Sequence, residues 1–216
     1  MEKNYPPSLS IITPCLNEEE NIENSVQKLL DTLQNLSKKN LINIEQSRLV
    51  VVDDGSSDNS WTILKKLHAA YPRIHGIKLS RNFGHQNALL SGILSSTEDV
   101  VITIDIDLQD DINAIEKMLA EYANGYEIVY GVKKDRAVDS FLKNLFANGF
   151  YIVLSVLGAD VIKNHADFRL LSQKVIKALR EYREVNIYLR GIIPLLGFQS
   201  TQVEYTLNPR ILGKTK

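Results

Sequence analysis

The chain has 216 residues, 25 Lys and Arg against 26 Asp and Glu, and a formal net charge of −1. With 44% apolar and 24% charged residues it has a globular composition, not a disordered, fibrous or collagen-like one. The near-neutral total argues against a dedicated nucleic-acid binder, so no nucleic acid is expected among its partners.

One cysteine, Cys15, excludes an intramolecular disulfide and a multi-cysteine zinc site. Met1–Pro7 is polar and has no apolar leader core. The longest apolar run, Phe150–Ala159, is about half of the roughly 18 residues that span a bilayer, so the chain is not expected to cross a membrane. Charge is divided unevenly. Residues 1–132 carry 11 Lys and Arg against 19 Asp and Glu, whereas residues 133–216 carry 14 against 7. Such a split suggests that the two parts face different partners, although solvated helix faces produce the same pattern.

Ser8–Thr13 reads as a first strand, stopped by Pro14. Ile22, Val26, Leu29, Leu30 and Leu33 have helical spacing over residues 17–36, with Asn17 as the N-cap. Arg48–Asp53 is a continuous apolar run ending in acid, as in a buried parallel strand. Asp54–Asp58 is turn chemistry, with Asp58 read as the cap of a helix over Ser60–Tyr71. A strand over Ile74–Ser80, a helix over Gln86–Ser95 and a strand over Val100–Asp105 follow. Then come a helix over Ala114–Asn124 and a strand over Ile128–Val132. The pattern then changes: Asp139–Leu157 reads as an amphipathic helix, Ser172–Tyr182 as another, and Thr201–Tyr205 as a short strand.

Alternating strands and helices imply an α/β fold with a mostly parallel sheet flanked by helices. Ligands of such sheets bind beyond the carboxyl ends of the strands. Three polar clusters stand there: Pro14–Glu18, Asp53–Asp58 and Asp105–Asp110. Asp105 and Asp107 are two residues apart, so on an extended chain they point to one side. Their hard oxygens suit Mg²⁺ or Mn²⁺ shared with a diphosphate; solvated acids in a turn are the competing reading. Asp53 suits a base N–H or ribose hydroxyls. No G-x-G-x-x-G follows the first strand and no G-x-x-x-x-G-K-[ST] occurs, which weighs against dinucleotide oxidoreductases and P-loop NTPases. A metal-bound nucleoside diphosphate without a P-loop suggests diphosphate as a leaving group, hence glycosyl transfer.

The stretches Ile12–Glu19, Val52–Asp58, Leu79–Gly84 and Ile104–Asp110 together resemble glycosyltransferase family 2, whose fold is of the GT-A type. Ala166–Leu171, Asn186–Gly191 and Pro209–Lys214 look like its polyprenyl-phosphate hexosyltransferase branch, the group of bactoprenol glucosyltransferases and dolichyl-phosphate mannose synthases. The resemblance implies one GT-A catalytic domain over residues 1–216. Residues 1–132 would bind the nucleotide sugar, and residues 133–216 would form a helical acceptor-side extension.

It further implies that Pro14, Asn17 and Glu18, with Asp53 and Asp54, hold the nucleoside. Arg81 would touch the diphosphate, unless its segment simply makes a turn. Asp105 and Asp107 would meet ribose, diphosphate and metal, with Gln109 completing the shell of Mg²⁺ or Mn²⁺. Asp167 would stand by the acceptor as base or positioner, making Asp107 and Asp167 the catalytic pair. Arg136, Lys143, Arg169, Arg190, Arg210 and Lys214 would receive the acceptor phosphate and the leaving diphosphate. For Lys143 and Arg190 a solvated helix face is an equal reading, and for Arg169 an internal salt bridge to Asp167 is the rival. His85 and His165 have no ligand-spaced partners and are read as structural or solvent-facing.

The implied reaction is inverting, metal-dependent transfer of a hexose from UDP-glucose, or alternatively GDP-mannose, to a polyprenyl phosphate. It would take place at the cytoplasmic face of an anionic membrane. The Phe141–Leu157 helix would lie in the interface or pack in the core. Two other readings compete: transfer to a saccharide hydroxyl, and a non-catalytic module that binds nucleotide sugar or docks to a membrane. Relatives of this branch often continue into transmembrane helices beyond the Gly-x-x-Lys motif.

Overall fold

The computed structural model describes residues 5–134, 165–182 and 188–207. Seven strands form one sheet: β1 (Leu9–Cys15), β2 (Arg48–Asp53), β3 (Ile74–Lys78), β4 (Val100–Thr103), β5 (Ile128–Lys133), β6 (His165–Ser172) and β7 (Ser200–Tyr205). Six α-helices accompany them among the described residues: α1 (Ile22–Lys38), α2 (Ser60–Ala70), α3 (His85–Ser95), α4 (Ala114–Ala123), α5 (Gln173–Glu181) and α6 (Leu189–Leu195). The strand order is β3-β2-β1-β4-β6-β5-β7. β1 to β4 are mutually parallel, β5 is parallel to β7, and β6 runs antiparallel to both β4 and β5.

The central strands are apolar on both faces because both faces are covered. Along β2, Leu49 and Val51 join one core with α1 residues Leu29 and Leu33 and α4 residue Met118. Val50 and Val52 turn to the other core, with Leu89 and Ile93 of α3 and Val175 of α5. Each fully buried Leu, Ile or Val contributes about 1.5–3 kcal/mol by leaving water. Gly92 lets α3 lie close to the sheet: a Cβ there would stand 2.5 Å from Cγ2 of Ile12.

Three expectations need correction. Asn17 is not the N-cap of α1; that helix begins at Ile22 after Asn21, and Asn17 sits in the left-handed region at φ 52°. β4 ends at Thr103, so Asp105 and Asp107 lie on a turn rather than an extended strand, with Leu108 at φ 49° and its N–H donated to Asp105 O. Ala166–Leu171, which the sequence offers only as a motif, belongs to an eight-residue strand, His165–Ser172, inserted between β4 and β5. The helix expected over Asp139–Leu157 lies outside the described residues.

The antiparallel sense of β6 positions the site. Thr103 at the end of β4 pairs with Arg169 in the middle of β6. The first residues of β6 therefore reach the sheet edge where the parallel strands end, and Asp167 is delivered beside the turn that carries Asp105.

Candidate active site

The tips of β1, β2 and β4 enclose a cleft of about 210 Å³. Its wall includes Pro14 near the end of β1, Glu18 after it, Asp54 after β2, His85 at the start of α3, and Asp105 and Asp107 after β4. The first two loops are zipped together by reciprocal bonds. Asn17 N–H donates to Ser56 Oγ at 2.9 Å, while Asn17 Oδ1 accepts from Ser57 N–H at 2.8 Å. Glu18 N–H donates to Ser60 Oγ at 2.9 Å. The N-cap residue of α2 is Asn59 rather than the expected Asp58, but the Asp58 carboxylate accepts from Ser60 N–H at 2.9 Å in the first turn and from Glu19 N–H at 3.1 Å, which ties down the β1 loop.

Asp53 and Asp54 are both buried but differ in use. Asp54 accepts the backbone N–H groups of Phe83 at 2.7 Å and Gly84 at 2.9 Å, which fixes the Arg81–Gly84 turn against the β2 tip. Gly55, at φ +74°, makes that contact sterically feasible: a Cβ there would lie 2.4 Å from the carbonyl carbon of Arg81. Asp53 Oδ1 accepts from Ser56 N–H at 3.3 Å, and its Oδ2 is buried with no hydrogen-bond partner. Arg81 is exposed and stacks its guanidinium over the Phe83 ring at 4.0 Å. Burial, then the charge of Asp53, pushes the Cys15 thiol up to about 12, so it stays a neutral wall of the cleft.

On the turn after β4, Asp107 is held by Gln109, whose backbone N–H and side-chain Nε2 reach the two carboxylate oxygens at 3.2 and 3.0 Å. Asp110 is buried and accepts from Tyr205 Oη at 2.5 Å. Asp105 Oδ1 is buried and accepts no hydrogen bond. Desolvation, with the charges of Asp110, Asp107 and Asp167, outweighs the pull of His85 and raises the Asp105 carboxyl to about 6. Among the described residues, no three His, Cys, Asp or Glu side chains form a cage for a metal ion. Two carboxylates flanking an open cleft, one with an unsatisfied oxygen, instead fit Mg²⁺ or Mn²⁺, which are held by one or two carboxylates and completed by substrate phosphates.

Asp167 has the opposite environment. It is 7% exposed, and its Oδ1 accepts from Arg169 Nη2 and from Arg190 Nε at 3.1 Å. Its Oδ2 accepts from Arg190 Nη2 at 2.9 Å and Gln86 Nε2 at 3.0 Å, with His85 Nε2 at 3.3 Å. Burial opposes the charge, but the bonds from His85 and Arg190 and the two guanidinium charges hold the carboxyl well below the usual range. His85 Nε2 also stands 3.5 Å from Asp105 Oδ1. Burial lowers the imidazole's affinity for a proton, but Asp167 and Asp105 more than restore it, and the net shift is upward.

The structure thus places Pro14, Asn17, Glu18, Asp53, Asp54, Asp105, Asp107, Gln109, Asp167, Arg169 and Arg190 around neighbouring strand tips. Arg136, Lys143, Arg210 and Lys214 lie outside the described residues. The Arg169–Asp167 salt bridge is present and buried. The sequence reads His85 as structural or solvent-facing and gives Gln86 no role, yet both touch Asp167. Their signal was positional: they open α3 directly after the Arg81–Gly84 turn that packs on the β2 tip.

A mostly parallel sheet of this order, with acidic strand tips around one cleft, defines a GT-A fold. It matches a mannosyltransferase of Pyrobaculum calidifontis, solved in complex with GDP-Man and Mn²⁺, with a TM-score of 0.66 at 16% identity over 97% of this chain and 58% of that one. It also matches TarS of S. aureus, solved with UDP-GlcNAc, with a TM-score of 0.61 at 15% identity over 94% of this chain and 59% of that one. Residues 10–180 match the family model for glycosyl transferase family 2, and the chain belongs to that family. The uncharacterised glycosyltransferase YkoT of Bacillus subtilis (strain 168) is 42% identical over 99% of this chain and 64% of its own length. A bactoprenol glucosyl transferase of Shigella phage SfX is 31% identical over 96% of this chain and 66% of its own length. The chain spans about two thirds of the length of these relatives.

Proposed function

We propose that this chain transfers a hexose from a nucleotide sugar to a polyprenyl phosphate in a single inverting displacement, with UDP-glucose as the first donor to test and GDP-mannose as the second. The state of Asp167 carries the choice of acceptor. A sugar hydroxyl must lose a proton as it attacks, and a general base for that step needs a pKa near the working pH. Against its burial, Asp167 is held far below that range by the bonds from His85 and Arg190 and by the charges of Arg169 and Arg190. A phosphate oxygen is already anionic and needs cations rather than a base. Arg190, 39% exposed beside Asp167, supplies one, and its planar fork suits phosphate. The relatives named bactoprenol glucosyl transferase support the same acceptor.

On the donor side, Pro14 and Glu18 border the nucleoside pocket, and Asp53, buried at the β2 tip behind its wall, keeps an unfilled acceptor, Oδ2, of the kind a base N–H would use. Asp54 holds the Arg81–Gly84 turn against that pocket, and Arg81 can leave Phe83 for the diphosphate. Asp105 and Asp107 would hold Mg²⁺ or Mn²⁺, with Gln109 fixing Asp107; the ion, when bound, supplies charge neutralisation to the leaving diphosphate. Displacement from an α-linked donor gives a β-linked product.

In this reading residues 1–132 and 133–216 are the donor and acceptor sides of one catalytic domain. The basic second part faces the lipid phosphate and an anionic bilayer surface at the cytoplasmic face. No helix of the described residues is long and apolar enough to cross a membrane. The test is transfer from UDP-glucose and GDP-mannose to a short-chain polyprenyl phosphate and, separately, to saccharide acceptors, with and without Mn²⁺. Metal-dependent transfer to the phosphate alone is expected. Faster transfer to a saccharide hydroxyl overturns the acceptor assignment.

A further inference from the structure

His85 is the described residue whose side chain is paired with both Asp105 and Asp167. Its Nε2 faces an oxygen of each, at 3.5 and 3.3 Å. Two carboxylate oxygens facing one ring nitrogen require a proton there, and a single N–H makes one good hydrogen bond at a time. The two acceptors have unequal needs. Asp105 Oδ1 has no hydrogen bond, whereas Asp167 is reached by five donor nitrogens: Arg169 Nη2, Arg190 Nε and Nη2, Gln86 Nε2 and His85 Nε2. An ionised carboxylate offers about four lone-pair positions. One donor on Asp167 is in surplus, and His85 stands between that surplus and the deficit on Asp105.

The donors differ in how freely they can leave. Arg169 is 1% exposed and has nowhere to go. Arg190 is 39% exposed and can exchange a carboxylate bond for water or for an incoming anion. We propose that His85 is a positioning residue that couples the two substrate sites. When the donor complex takes Asp105 Oδ1, the Nε2–H commits to Asp167, and Arg190 is released from one of its two bonds to meet the acceptor phosphate. This inference rests on the donor and acceptor reading above. It requires the two ligands to assist each other's binding by the same factor, since linkage is reciprocal.

The test is calorimetry on the whole chain with non-reacting probes. The donor probe is UDP or GDP with Mn²⁺, whichever stabilises the protein; the acceptor probe is geranyl phosphate. In the wild type each probe should tighten the other about fivefold or more, the lower range of typical couplings. His85→Ala should bind each probe alone within about threefold of wild type and lose the mutual effect to within about twofold. His85→Gln keeps donors in place but has two N–H groups that can serve both carboxylates together, so it too should bind both probes and lose the coupling. A merely structural histidine would change the separate affinities or the melting temperature and leave the coupling factor unchanged. Coupling that persists in both variants, or is absent from a wild type that binds both probes, overturns the inference. A wild type that binds neither probe overturns the substrate reading itself and the inference with it.

Discussion

On one side of His85 stands Asp105, half exposed to the cleft, with an oxygen that receives no hydrogen bond. On the other stands Asp167, buried and gripped by two guanidinium groups. The first is pushed up to about 6 and the second is held well below the carboxylate range. The difference arises from how each strand arrives. β4 ends before Asp105 and leaves it on a turn among other acids. β6 carries Asp167 and Arg169 two residues apart, which puts an acid and its counter-ion on one face of the strand. One carboxylate is kept short of partners where a cation is wanted; the other uses its charge to hold cations at the place where an anion is wanted.

Removing the saturated carboxylate should have the largest effect. Asp167→Ala strands a buried Arg169 and unpairs Arg190, and should cost about 3–5 kcal/mol, roughly 6–20 °C in melting temperature for a chain of this size. The sign with pH is set by the depressed carboxyl. Its stabilisation is complete above the ordinary carboxylate pKa of about 4 and fades as the pH falls below that. Wild type and variant should therefore converge in acid, and melting curves from pH 7 down to 3 test this. On the other side of the comparison, Asp107→Asn should lower metal-dependent transfer by about 10²–10³-fold with the melting temperature nearly unchanged. Initial rates across a Mn²⁺ titration measure it, and a wild-type rate would remove the metal assignment.

Much of the donor side could be read directly. β2 was expected at Arg48–Asp53 and is found there, because a continuous Leu-Val-Val-Val run has one stable home, a strand covered on both faces. The three acidic clusters followed from the rule that parallel strands present ligands at their carboxyl ends. The acceptor side was less legible. Phe168, Leu170 and Leu171 gave no helix or alternation signal strong enough to declare β6, and its antiparallel pairing with β4 is a long-range fact that no local window contains. Asn17 departs from the expected cap because its side chain accepts across from Ser57, forty positions away, rather than along its own helix. His85 reads from the sequence as structural or solvent-facing because it lacks ligand-spaced partners, and its pairing with two carboxylates from different strands is out of reach of spacing arguments.

Gly55 offers a smaller perturbation of the donor side alone. Gly55→Ala places a Cβ against the backbone of Arg81 and Asn82 at a positive φ. It should cost about 2–3 kcal/mol, since backbone cannot move aside as a flexible side chain does. Nucleotide affinity should fall with it, because the Arg81–Gly84 turn loses its seat, while the Asp167 cluster is untouched. Thermal melts and nucleotide titrations check both halves.

The smallest effect is the most diagnostic, because it is a gain. Asp105 has a raised carboxyl, so in the metal-free protein its charge costs stability above about pH 6 and costs nothing once both folded and unfolded forms are protonated, below about pH 4. Asp105→Asn should therefore stabilise the chelator-treated protein at pH 7.5. The side chain is half exposed, so solvent screening reduces the gain to about 1 kcal/mol, roughly 2–4 °C. The gain should disappear by pH 4. Asp167→Asn must move in the opposite direction at pH 7.5, since that carboxylate is stabilised in its charged form. If both substitutions destabilise the metal-free protein equally at neutral pH, Asp105 is an ordinary satisfied acid, and the contrast between the two sides of His85 does not hold.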